Sequence, residues 1–215
     1  MLEMTWDAAG ERYYETGVQQ VALYKAVGGE YPAGVPWNGV TAITKSPSGA
    51  EPNPIYADNG KYLSILSLEE FGFTIEAYTY PDEFAECDGS AELVKGVSVG
   101  QQPRKMFGLA FKTLIGNDED NNDHAYKIHL IYGANASPSE KAYNTVNDSP
   151  DPTTMSWECT TTPVAVTGMK PTACIEIDSR TVDAQKLATF EQTLWGSNPS
   201  LPLPDEVKTA LTPAA

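Results

Sequence analysis

The chain has 215 residues, 29 acidic against 14 basic side chains, and a formal net charge of −15. That balance argues against a protein built to hold nucleic acid, whose phosphates must be met by Lys and Arg. A hydrophobic share of 41%, with 11 Tyr, 6 Phe and 4 Trp, argues equally against disorder. No run approaches the roughly 20 apolar residues of a membrane span. The start, Met1 to Asp7, lacks the basic end and apolar run of a secretory signal, which predicts a soluble product that stays where it is made.

The length suits one large β or α/β domain. Gly and Pro, 17 and 16 of them, are scattered through the chain and cut it into short segments, as strands joined by turns require. Residues 1–12 read as an arm. A strand is predicted over Val18–Val27, then a loop over 30–38 (Pro32, Gly34, Pro36), then a second strand over Val40–Thr44. A long connection, about 45–60, ends at Asp58-Asn59-Gly60; a structureless connection of that length is functional or mobile in a compact domain. Strands follow at Lys61–Leu68 and Phe71–Tyr80. In the latter, Phe71, Phe73, Ile75 and Ala77 share one face, and Thr74, Glu76 and Tyr78 the other.

Pro81 to Ala85 carries the proline and acids of a short helical start, closed by Cys87-Asp88-Gly89. Arg104–Ile115 and Ala125–Tyr132 read as long strands joined by a hairpin tip at 117–124. Two more strands are predicted over about Thr153–Val166 and Ala173–Asp178. In the first, Met155, Trp157 and Cys159 oppose Ser156, Glu158 and Thr160. One amphipathic helix spans about Val182–Leu194, with Leu187, Phe190 and Leu194 on one stripe and Gly196 as its stop. A final turn is placed at Asp205–Leu211. The total is a mainly β domain: two packed antiparallel β-sheets, sandwich or barrel, with one flanking α-helix and loose termini.

Chemistry-bearing patterns are sparse. Cys87, Cys159 and Cys174 form neither a CxxC pair nor a disulfide framework, and read as buried small residues in a reducing compartment. His124 and His129 lack any nucleophile or zinc signature and read as a surface and a packed histidine. In 117–123, Asp118, Asp120 and Asn122 have the alternate spacing of calcium ligands. Position six is Asp123 rather than glycine, however, and position twelve is His129 rather than a bidentate Glu, so a solvated hairpin tip is the preferred reading. No phosphate-cradling glycine loop is present, and no catalytic, cofactor or metal site is expected. Charge is distributed unevenly: Tyr62 to Val94 holds eight acids and no Lys or Arg. Such runs are ordinarily solvated faces; here the alternative is a surface kept negative to repel polyanions.

A succession of segments resembles the major tail protein of long-tailed, siphovirus-type bacteriophages. It includes Trp6-Asp7, Tyr14-Glu15-Thr16-Gly17-Val18, Tyr31-Pro32-Ala33-Gly34-Val35-Pro36-Trp37-Asn38-Gly39-Val40 and Tyr56-Ala57-Asp58-Asn59. It continues with Glu76-Ala77-Tyr78-Thr79-Tyr80-Pro81-Asp82-Glu83-Phe84, Phe107-Gly108-Leu109, Lys127-Ile128-His129-Leu130-Ile131-Tyr132-Gly133 and Asn147-Asp148-Ser149-Pro150. The match runs colinearly over about 6–195. It is the succession, and no single motif, that is specific.

The resemblance implies one tail-tube domain over 1–215, similar in fold to type VI secretion tube proteins, with an N-terminal arm (about 1–12), a long loop (about 45–60) and a C-terminal extension (about 197–215). Ending at Ala215, it is expected to lack the immunoglobulin-like domain some relatives carry. It further implies a structural virion protein, not an enzyme and with no cofactor, that closes into hexameric rings stacked as a tail tube. Its partners would be copies of itself and the tail tip or baseplate, tape measure and tail terminator proteins. It would be assembled in the host cytoplasm and found in the virion tail, with no membrane contact, and DNA would pass through the lumen without specific binding. On that reading Lys45, Pro47, Glu51, Asn53 and Asp58 are inter-ring contacts ordered on assembly, and Glu76 and Glu158 face the lumen. The competing reading is a monomeric β-sandwich binding module, for example for carbohydrate, with Tyr31, Trp37 and Tyr56 stacking on sugar rings.

Overall fold

A computed structural model describes Met4, residues 6–145 and residues 152–212. The Asn147–Pro150 segment of the resemblance, residues 1–3 and 5 of the arm, and 213–215 of the C-terminal extension lie outside the described residues.

In chain order the strands are β1 (Tyr14–Lys25), β2 (Gly34–Pro36), β3 (Val40–Lys45), β4 (Pro52–Ala57), β5 (Gly60–Leu66) and β6 (Gly72–Ala77). After a 3-10 turn at Asp82–Glu86 come β7 (Ala91–Val94), β8 (Val97–Val99), β9 (Phe107–Asn117), β10 (Asn121–Ala136), β11 (Met155–Thr161) and β12 (Cys174–Asp178). Two helices close the chain, α1 (Ala184–Trp195) and α2 (Pro204–Leu211). The main sheet is antiparallel, in the order β2-β1-β9-β10-β11-β6-β3, with β12 also on β10.

β10 is where this sheet divides. One edge pairs with β9 along most of its length. The other pairs with β12 from Lys127 to Ile131, then with β11 from Ala134 to Ala136. Between the two partners lies Gly133, with φ +60, and a Cβ there would stand 2.1 Å from the Thr162 carbonyl oxygen. Only glycine takes this left-handed backbone so close to another chain segment. The Gly133 N–H donates to the buried Tyr31 hydroxyl at 2.8 Å.

Alternation then supplies two cores. On one face Leu23, Leu109 and Ile131 meet Phe73, Ile75 and Trp157 of the second layer, with Phe84 of the 3-10 turn at the centre. Phe84 packs edge-on against Trp157 (5.2 Å, 80°) and Phe107 (5.5 Å, 85°), the arrangement the aromatic quadrupole favours. On the opposite face Tyr24, Ala110, Leu130 and Tyr132 meet Leu187, Phe190 and Leu194 of α1 and Val207 of α2. The mainly β, antiparallel architecture is therefore as expected, with three layers: helices, central sheet, and the β11-β6-β3 sheet.

α1 starts at Asp183, whose carboxylate accepts from the Gln185 and Lys186 N–H groups at 3.0 Å. It is pinned further by Lys112, buried on β9, whose Nζ lies 2.8 Å from Glu191 and over the rings of Tyr126 and Trp195. Three expectations change. One flanking helix becomes two, because Pro204 at the first position and Glu206, accepting from the Leu203 N–H at 2.8 Å, start a second helix that buries Val207; the C-terminal extension is docked. The loop at 30–38 includes β2, which is tolerated beside Pro36 because it is an edge strand. The segment at 90–99, for which the sequence predicts no element, is the β7–β8 hairpin.

Candidate assembly surface

The 45–60 connection is not structureless. Its second half is β4, which returns through β5 as a hairpin arm. Asp58 and Asn59 take φ +49 and +64 between the paired Ala57 and Gly60, the two-residue turn whose twist matches flanking strands. Pro52 and Pro54 sit two apart in the same phase, and in a two-stranded hairpin an outward-turned proline nitrogen costs no ladder bond. The strand expected at Lys61–Leu68 is β5, the outer return of the arm.

Every residue of β4 and β5 is exposed. Register places Asn53, Ile55, Leu63 and Ile65 on one face, and Pro52, Pro54, Ser64 and Leu66 on the other. Tyr56, Tyr62 and Leu68 stand 69%, 73% and 89% exposed. Neither face packs extensively on any other described element. The arm's root is firm: the Ser46 N–H donates to the Gly72 carbonyl at 2.8 Å, and Ser48 and Glu70 exchange backbone bonds at 2.8 Å. Pro47 lies in this root, Glu51 just before β4 with its N–H on Ser67 Oγ, Asn53 on β4 and Asp58 in the turn. Lys45 is different. It ends β3, and its side chain crosses to His129 and Glu176 instead of joining the arm.

Glu76 and Glu158 share the outward face of the β3-β6-β11 layer. Glu76 is opposite Ser156 and Glu158 opposite Thr74, with Thr44 and Ala42 completing the face. Lys45 is the one basic residue of these three strands, and it points away, so the face is small, polar and acidic. A smaller apolar tip is exposed at Leu93, Val94 and Val97 of the β7–β8 hairpin.

The remaining sequence candidates are spoken for. Asp118 accepts from the Gly10 N–H at 3.1 Å and from Arg12 at 3.4 Å, Asp120 Oδ2 lies 3.1 Å from His124 Nδ1, and Asn122 Oδ1 accepts from the Tyr14 hydroxyl at 3.0 Å. The three alternate oxygens thus serve three different partners, and no group of three metal-ligating side chains occurs among the described residues. These bonds hold residues 7–12 of the arm against the hairpin tip, leaving Trp6 exposed. Cys87 and Cys159 are buried, which pushes each thiol up to about 12. Tyr31 and Trp37 are also buried, Trp37 donating to the Thr79 carbonyl at 2.8 Å, so only Tyr56 of the three proposed sugar-stacking rings is available. A groove of about 490 Å³ between β1, residues 34–40 and the end of α1 is lined by no ionisable side chain. No described helix is long and apolar enough to cross a membrane.

The arm is hidden in the sequence because its prolines and Asp-Asn-Gly look like loop punctuation; the paired turn residues are the available signal. No protein-family model matches the chain, and no curated protein does. Among solved structures, the chain is similar to one from the "Cryo-EM structure of the anti-feeding prophage (AFP) baseplate, 6-fold symmetrised". Identity is 8% and the TM-score 0.39, over 81% of this chain and 97% of that one. At that score the fold rests on this chain's own topology.

Proposed function

We propose that the chain is a self-assembling structural subunit whose β4–β5 arm is buried by other copies, and specifically the tail-tube subunit of a long-tailed bacteriophage. The observation that carries this reading is the arm, apolar on both faces and covered by nothing in its own chain among the described residues. A lone two-stranded hairpin is marginal in water, and an exposed apolar surface of this kind marks an interaction site. The sequence resemblance supplies the particular assembly: hexameric rings stacked into a tube, with tail tip, tape measure and terminator proteins as partners. Glu76 and Glu158 line the lumen on this reading. DNA carries one charge per roughly 1.7 Å of axis, so an acidic wall without Lys or Arg lets it slide where a basic wall would hold it. The subunit performs no catalysis and requires no cofactor.

Negative-stain microscopy of the concentrated protein tests the reading. The intact chain is expected to form tubes or sixfold rings. A chain with residues 51–67 replaced by a short Gly-Ser link is expected to remain a folded monomer. An intact chain that stays monomeric, even beside a tail-initiation complex, overturns the proposal.

A further inference from the structure

Beside the root of the arm, on β10, lies a buried polar group that the proposed assembly does not use. His129 is buried at 3% exposure, its ring stacked on Phe111 at 4.6 Å and 16°. Its Nδ1 lies 2.9 Å from Lys45 Nζ, and its Nε2 lies 2.8 Å from Thr113 Oγ1. Lys45 also pairs with Glu176, the residue opposite His129 on β12. Lys45 is the last residue of β3, immediately before Ser46 at the arm's root, whereas His129, Thr113 and Glu176 stand on the central sheet. One lysine side chain therefore ties the arm's root across to the other layer.

The donors fix the direction of this tie. An ammonium group has only donors, so Nδ1 must accept from Lys45, and the imidazole is neutral with its proton on Nε2, donated to Thr113. A second proton would turn Nδ1 into a donor facing an ammonium group, and its nearest acceptor, Glu176 Oε1 at 3.5 Å, is the carboxylate that Lys45 already uses. The charged groups around the ring are Lys45 from β3, Glu176 and Asp178 from β12, Lys127 on β10 itself, and Glu15 from β1. β9 contributes only the uncharged Thr113 and Phe111. Asp178 is engaged by Arg180, and Glu15 and Lys127 by each other, so Glu176 is the one carboxylate for which Lys45 and a protonated His129 compete.

We propose that Lys45, His129 and Thr113 form a proton-sensitive strap that fixes the arm's direction, and that acid detaches the arm's root from the central sheet while its backbone bonds at Ser46 and Ser48, and both sheets, persist. The strap belongs to the single chain, so it operates whether or not copies assemble. It gives the arm two conditions: aimed when His129 is neutral, and held by the bonds of its own layer alone when it is protonated. Burial first, and Lys45 second, push the His129 pKa down to about 4, so release belongs to acid conditions and the aimed arm to neutral ones.

The test measures spin-label distances in the monomer, between cysteines placed at Asp58 in the arm's turn and at Lys208 on α2, with Cys174→Ala removing the half-buried thiol. At neutral pH the parent is expected to give one narrow peak, lost near pH 4 while far-UV circular dichroism is unchanged. Lys45→Met is expected to lose the narrow peak already at neutral pH. His129→Gln keeps one donor and one acceptor without a titrating ring, and is expected to keep the narrow peak at both values. A narrow peak in Lys45→Met, or loss of the peak in His129→Gln on acidification, overturns the proposal. These readouts are independent of tube formation, so failure here leaves the assembly reading to its own experiment.

Discussion

His129 makes a prediction about stability that is separate from arm direction. In the folded chain its pKa lies at about 4, against 6.5 for an exposed imidazole, with burial the first cause and the Lys45 charge the second. The native state thus favours the neutral ring. On acidification the unfolded chain takes up its proton first, so the contribution is fully present above about pH 6.5 and is lost as pH falls toward 4. A tenfold change in proton affinity is worth about 1.4 kcal/mol, which makes the whole effect about 3 kcal/mol. That is a large part of the roughly 5–15 kcal/mol that holds a domain folded. Carboxylates depressed by partners, such as Glu86 beside Lys105 and Asp178 beside Arg180, begin to lose their contributions only within about one pH unit of their usual values of 4.5 and 3.8. Comparing the parent with His129→Gln over about pH 6.5 to 5.5, above the range where the carboxylates respond, therefore isolates this histidine. Urea unfolding of the monomer across that interval should show a falling free energy in the parent and a nearly level one in His129→Gln. Equal slopes in the two proteins would refute the reasoning.

Other substitutions test other parts of the fold. Phe84→Ala removes the ring at the centre of one core and should lower the free energy of urea unfolding by about 3–5 kcal/mol. Gly133→Ala should destabilise by roughly 1–3 kcal/mol or more, from its left-handed backbone and the adjacent Thr162 carbonyl; a thermal midpoint equal to the parent's would contradict that close approach. Asp183→Ala should cost about 1 kcal/mol through the lost cap of α1, read by the same denaturation. Raising ionic strength should promote assembly by screening repulsion between chains of net charge −15, whereas salt that dissolves tubes would point to specific ion pairs holding them.

Where a segment's own periodicity decides its fate, the sequence is sufficient. Phe73, Ile75 and Ala77 turn inward as their alternation demands, as do Trp157 and Cys159, and the stripe of Leu187, Phe190 and Leu194 docks α1. What escapes is decided by partners far along the chain. Tyr31 and Trp37 sit in a Pro- and Gly-rich stretch that reads as exposed loop, yet Tyr31 is drawn in by Gly133, 102 residues away, and Trp37 by Thr79. Lys45 looks like part of a mobile loop because its acceptor is 84 residues distant. The arm itself carries no inward-facing residues, so nothing in its pattern distinguishes a strand without a core from a loop. Glu76 and Glu158 follow from alternation alone, and the register adds that they lie on one face of adjacent strands.

The division of the sheet at Gly133 also constrains the order in which the chain can fold. β9 and β10 are joined by a short turn and can zip locally, before most long-range contacts have closed. β1 must then return from about a hundred residues upstream, while β12 and β11 must each find its own half of β10's other edge. A slip of one residue along β10 would exchange the two cores at once, since the same strand feeds both. Mutations in the β9–β10 hairpin should accordingly slow folding, and mutations in β3 or β6 should mainly speed unfolding.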